Sequence, residues 1–203
     1  MNRNNIMFTK GSVMLIVLIA ISLISLIGTT VLSLSVTNFK MKTIDRRVKT
    51  AFYLAEAGVE EVYSVIIKEI QKAVEIGNIE VEAELSTQSE DQPLSATEKN
   101  TYFQEAYKNY ISNNLVHSIN NYDYSLLDVS LNTTAPRVEI VEVKDFLYNS
   151  DQFILVIEVT HTHERIEKYF KVEYTLWVPE YSIELSDKNS IFSLLECKYI
   201  ESY

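Results

Sequence analysis

The chain has 203 residues, 28 Asp and Glu against 18 Lys and Arg, and a formal charge of −10, with the acid lying almost entirely after residue 50. That balance excludes a nucleic-acid surface, which needs clustered cations against phosphate. The single cysteine, Cys197, excludes an intrachain disulfide, and the absence of any glycine after Gly77 excludes a phosphate-cradling loop or a glycine-turned calcium loop in the second half.

From Lys10 to Lys40 no charged residue occurs. Ser12 to Val36 is uninterrupted by proline or charge, and a hydrocarbon core of roughly 30 Å needs about 20 such residues in a helix. The run is therefore long enough to span. It exceeds the apolar region of about 7–15 residues in a secretory signal peptide, and Met14 to Leu26 is apolar around nearly its whole circumference, unlike an ordinary core helix.

Beyond Phe39 the helical period continues. Val48, Phe52, Ala55, Val59, Val62 and Ile66 recur at steps of four and three, an apolar stripe flanked by Arg46, Lys49, Glu56, Glu60 and Glu61. The spacing predicts one helix from about Ser12 to Ile76, with Gly28 and Gly58 as the places where it would bend and Gly77-Asn78 as its stop. "IEVEAEL", residues 79–85, alternates apolar and acidic residues and predicts a strand. The polar "STQSEDQP", 86–93, predicts a loop.

Ser95 with Glu98 fits a capping box, and Phe103, Ala106, Tyr107, Tyr110, Ile111 and Leu115 follow at helical spacing. After Tyr122 the period changes to two. "RVEIVEV" (137–143), "QFILVIEVTHT" (152–162) and "EKYFKVEYTLWV" (167–178), separated by "NSD" (149–151) and "HER" (163–165), predict successive antiparallel strands. The expected class is α+β: a long N-terminal helix with a membrane-spanning half (12–39) and an amphipathic half (40–77), then a domain over 78–203 with one shorter helix and an antiparallel sheet.

The short basic leader 1–11, ending in Gly11 and followed at once by the uncharged span, resembles that of a type IV prepilin. "TAFYLAEAGVEEV", 50–62, resembles the stretch after the membrane span in PilX-type minor pilins and the K-type pseudopilins of type II secretion. The resemblance covers about residues 8–64. It implies cleavage by a prepilin peptidase between Gly11 and Ser12, a cytoplasmic N-terminus with the domain outside the membrane, and other pilins as partners through the N-terminal helix. Val48, Phe52, Ala55, Val59 and Val62 are then the candidate assembly seam, packing on neighbouring subunits or on the chain's own sheet. It further implies a structural role in a type IV pilus or a related secretion or competence filament, with adhesion as one use of such a fimbrium. Major pilins carry Glu as the fifth mature residue; here that position is Ile16, as in the subunit that the family view places at the filament tip. By the positive-inside rule alone, Lys40, Lys42, Arg46, Arg47 and Lys49 against Arg3 and Lys10 would put the N-terminus outside.

Other constellations are thin. His161 and His163 share a strand face, and Glu164 would complete a zinc set, but a polar strand end is the simpler reading. Cys197 has no neighbouring base. The acidic run Glu80, Glu82, Glu84, Glu90 and Asp91 reads as a solvated face, and no cofactor or metal is expected. No acid, base and nucleophile set appears, so the alternative to a filament subunit is an anchored extracytoplasmic sensing or ligand-binding domain rather than an enzyme.

Overall fold

A computed structural model describes residues 5–87, 94–127, 134–146, 151–181 and 188–203, with side chains described from Ser12 onward except at 126, 127, 188 and 189. Helix α1 runs Asn5–Thr87, α2 Ala96–Asn120, a 3-10 turn Tyr124–Leu127, and α3 Lys188–Phe192; the strands are β1 Arg137–Lys144, β2 Gln152–His163, β3 Ile166–Trp177 and β4 Leu195–Ser202. The class is α+β, with one four-stranded antiparallel sheet in the order β1-β2-β3-β4. By contacts the chain forms two compact units, 1–47 and 48–203. Of the predicted loops, residues 88–93 and 149–150 lie outside the described residues.

In the second unit, α1 turns Ala55, Val59, Val62, Ile66, Ile70, Ala73 and Val74 into the core, together with the α2 stripe Phe103, Tyr107, Ile111, Leu115 and Ile119. The sheet supplies the opposing layer by strict alternation: Phe153, Leu155, Ile157 and Val159 from β2, and Phe170, Val172, Tyr174 and Leu176 from β3. Each such side chain contributes roughly 1.5–3 kcal/mol by leaving water. The Tyr174 hydroxyl donates to the Val59 carbonyl at 3.0 Å, so the sheet is also pinned to the helix backbone. At the start of α2 the capping box forms as expected: the Glu98 amide donates to Ser95 Oγ at 3.3 Å and the Ser95 amide to Glu98 Oε2 at 2.8 Å. The Ser95 amide and then the Ser95 hydroxyl, which also donates to Glu98 Oε2 at 2.8 Å, lower the pKa of the Glu98 carboxyl.

Two expectations are corrected. The helix does not stop at Gly77-Asn78, and residues 79–85 are not a strand: α1 continues to Thr87. Ala and Glu are strong helix formers, and Val74, Gly77 and Val81 are buried at steps of three and four, so the apparent alternation of "IEVEAEL" is overridden by one helical contact line. The helix runs on through Gly28 and Gly58. At Gly58 an added Cβ would stand 2.7 Å from Val159 Cγ1 and 3.1 Å from Pro136, so this glycine lets β2 approach the helix.

Strand β4 has no counterpart among the predicted elements. The "HER" turn is a two-residue hairpin loop: His163 pairs with Ile166, and Glu164 and Arg165 have φ of 47° and 74°. Positive φ at both loop residues matches the right-handed strand twist.

Candidate membrane and assembly helix

The first unit consists of the N-terminal part of α1. Every described side chain from Ser12 to Lys42 is exposed, and the helix is long and apolar enough to cross a membrane. Ile16 is 61% exposed, and no carboxylate occurs before Asp45. The segment contains serines and threonines, whose hydroxyls would be costly in hydrocarbon if left without acceptors. Four of them turn back onto the helix. Ser22 Oγ donates to the Leu18 carbonyl at 2.9 Å, Thr29 to Leu26 at 2.9 Å, Thr30 to Ile27 at 2.7 Å and Thr37 to Ser33 at 2.9 Å. Back-bonding of this kind lets a hydroxyl-bearing helix present an apolar exterior.

Gly11 lies within α1, while residues 1–4 are outside the described set. The five residues of the candidate seam are all in the second unit. Ala55, Val59 and Val62 are buried in that unit's own core. Val48 is half-buried, and Phe52, 38% exposed, sets its ring edge-on to Phe170 with 5.1 Å between centroids. Three of the five therefore face the chain's own core, which leaves Val48 and Phe52 as the surface members of the seam.

A feature that the sequence reading missed lies between α1 and α2. Glu69, 4% exposed, accepts a hydrogen bond from the Tyr110 hydroxyl at 2.8 Å and pairs with Lys72 Nζ at 2.8 Å. Burial, then the bond to Glu69, pushes the Tyr110 pKa up to about 12. The available signal was an acid on the apolar stripe, three residues after Ile66 and four before Ala73. Beside this pair runs an open groove of about 420 Å³ lined by Ile76, Glu80, Tyr102, Glu105, Asn109 and Tyr110, among others.

His161 and His163 do share a face, with ring centroids 6.5 Å apart, and His161 is buried. Among the described residues no three His, Cys, Asp or Glu side chains gather as a metal site. Glu80, Glu82 and Glu84 lie on the last turns of α1, and Glu90 and Asp91 fall outside the described residues. Cys197 lies on β4 opposite Tyr174, and partial desolvation raises its thiol pKa, which keeps it protonated rather than nucleophilic. Comparison with known protein families, with curated proteins and with solved structures finds no match to this chain.

Proposed function

We propose that the chain is a structural subunit of the pilin kind, a minor pilin or pseudopilin, which waits in a membrane and then packs through the same helix in a filament. The observation that carries this reading is α1 itself. One unbroken helix, Asn5–Thr87, is uncharged and exposed over Ser12–Phe39 and becomes the core helix of the second unit. A segment apolar on every side satisfies lipid first and neighbouring helices afterwards, where close packing replaces lipid contact. Its function is assembly rather than catalysis, with a prepilin peptidase and other pilins as partners.

The leader is cytoplasmic in this reading and the second unit extracytoplasmic, on the cell surface after assembly. The cations after the span lie within about ten residues of its end, where the positive-inside bias counts them and favours the reverse orientation; the orientation proposed here is carried by the cytoplasmic leader that the prepilin resemblance implies. Ile16 favours a terminal place in the filament. A repeated subunit without the fifth-residue acid would leave each neighbour's N-terminal amine uncompensated in a low-dielectric core, and a tip subunit avoids this recurring cost. Quantitative mass spectrometry of sheared filaments should then find the chain scarce beside the major pilin.

N-terminal sequencing from the native host tests the assignment. The mature protein should begin at Ser12, having lost Arg3 and Lys10, which takes the formal charge from −10 to −12. Mature protein beginning at Met1 in cells with an active prepilin peptidase overturns the pilin reading. It would favour instead an anchored ligand-binding domain, for which the groove beside Tyr102 and Tyr110 is the binding place.

A further inference from the structure

Strand β4 ends the sheet, and among the described residues it pairs on one side only, with β3. Its free edge has a defined hydrogen-bonding phase. The Trp177 amide donates to the Leu194 carbonyl at 2.9 Å, and Tyr169 and Tyr203 exchange both backbone bonds at 3.1 Å. Bonded pairs alternate along an antiparallel ladder, so with Thr175 opposite Glu196 and Glu173 opposite Lys198, the backbone groups of Glu196 and Lys198 turn toward β3. Those of Leu195, Cys197 and Tyr199 turn outward, and no described residue bonds them.

We propose that this edge pairs with the same edge of a second copy of the chain, antiparallel about a two-fold axis at Cys197, which joins the two sheets into one. Leu195 of each copy then lies opposite Tyr199 of the other, Glu196 opposite Lys198, and Cys197 opposite itself. The outward groups meet as bonded pairs, each exchanging two hydrogen bonds. The register uses the whole regular stretch of the strand. The ladder to β3 shifts between Lys171 and Val172, where Ile200 is the extra residue of a bulge, so Leu195–Tyr199 is unbulged and Cys197 is its centre.

A two-fold contact needs a surface complementary to itself, and charge supplies it. Leu195 and Cys197 share a face with the buried Leu176 and Tyr174, which puts Glu196 and Lys198 on the outer face of the sheet. Both are exposed, and among the described residues neither is in an ion pair. Across the axis each Glu196 meets a Lys198 in a pair without backbone bonds, where opposing side chains come closest. Lys198 also stands opposite Glu173, so the row across the joined sheet alternates in sign: Glu173, Lys198, then Glu196 of the second copy. Sliding the strands by two residues keeps the bonding phase but sets Lys198 or Glu196 against itself, so the same charges fix the register. On the core face Tyr199, 51% exposed, gains Leu195 of the second copy as a neighbour. The inference is independent of the filament reading.

Sedimentation equilibrium of the full chain in density-matched detergent, at about 0.15 M salt, tests it. The native chain should show a reversible monomer–dimer equilibrium. E196K and K198E should each raise the dimer dissociation constant at least about tenfold, because both symmetry-related pairs become like-charged. Both positions are exposed, so the circular dichroism of each variant should match that of the native chain. Mixed in equal amounts, the two variants should associate with one another to within about threefold of native strength, since every Lys then faces a Glu. A native chain that stays monomeric overturns the proposal. So does a dimer that neither substitution weakens, which would put the contact on another surface or on the span. Folded variants that fail to associate when mixed overturn it as well.

Discussion

A β-carbon placed on Gly77 would stand 2.6 Å from Cδ2 of Phe103 and 3.2 Å from its carbonyl oxygen. The Phe103 ring is fully buried, with Tyr107 stacked at 6.4 Å and Tyr181 at 5.8 Å, so it has little room to yield. Gly77 is thus a contact point between helices and not a helix stop. Gly77→Ala should gain about 1 kcal/mol of helix propensity yet lose about 1–3 kcal/mol to overpacking, a net destabilisation visible as a lower denaturant midpoint. Gly28→Ala meets nothing within 4 Å and should not destabilise the chain. Equal midpoints for the two variants would refute the close-approach account.

The stripe on α1 makes a second contrast. Val59 is 2% exposed, and its neighbour Glu60 points outward. Val59→Asp should cost several kcal/mol by burying a charge with no partner, while Glu60→Ala should change stability by less than about 0.5 kcal/mol. Thermal unfolding in detergent measures both. Similar shifts in the two variants would place the core face elsewhere.

Alkaline pH should unfold the protein through its tyrosines. Tyr110 is raised to about 12, and burial raises Tyr107, Tyr124 and Tyr174 as well. A raised folded-state pKa means that the unfolded chain releases its proton first as pH climbs. The stabilisation is complete below the ordinary tyrosine range, near pH 10, and is lost as pH rises through about 12 at Tyr110. Tyr110→Phe should make the loss of stability above pH 10 less steep, and at neutral pH should cost about 1–2 kcal/mol by taking a donor from Glu69. An unchanged pH slope in the variant would show that Tyr110 does not couple to folding.

The β2–β3 hairpin holds two non-glycine residues at positive φ, Glu164 at 47° and Arg165 at 74°. An L-residue in this region costs roughly 1–2 kcal/mol, and Asn-Gly is the favoured pair for such a loop. The double variant E164N/R165G should therefore raise stability by about 1 kcal/mol or more, read as a higher unfolding midpoint. A fall in the midpoint would mean that the native pair's side-chain interactions outweigh the backbone strain.

Local rules determined the parts of this protein whose signals are local. The uncharged run needs only its own composition to read as a span, Ser95 and Glu98 lie one helical turn apart, β3 alternates residue by residue over its second half, and β2 is a run rich in β-branched and aromatic residues. Tertiary structure decided the rest. Residues 79–85 alternate like a strand, yet Val81 is buried as the next position after Val74 and Gly77 on a helical line, and that line exists only because α2 lies against it. Glu69 becomes a buried, bonded carboxylate only when Tyr110 arrives from α2. Three of the five seam residues turned out to face the chain's own core, because period fixes which residues share a face but not what covers it. Strand β4 carries only a short alternation, Leu195-Glu196-Cys197-Lys198-Tyr199, which the sequence reading passed over; most of its residues are exposed, and β3 offers it a row of backbone partners from Phe170 to Leu176.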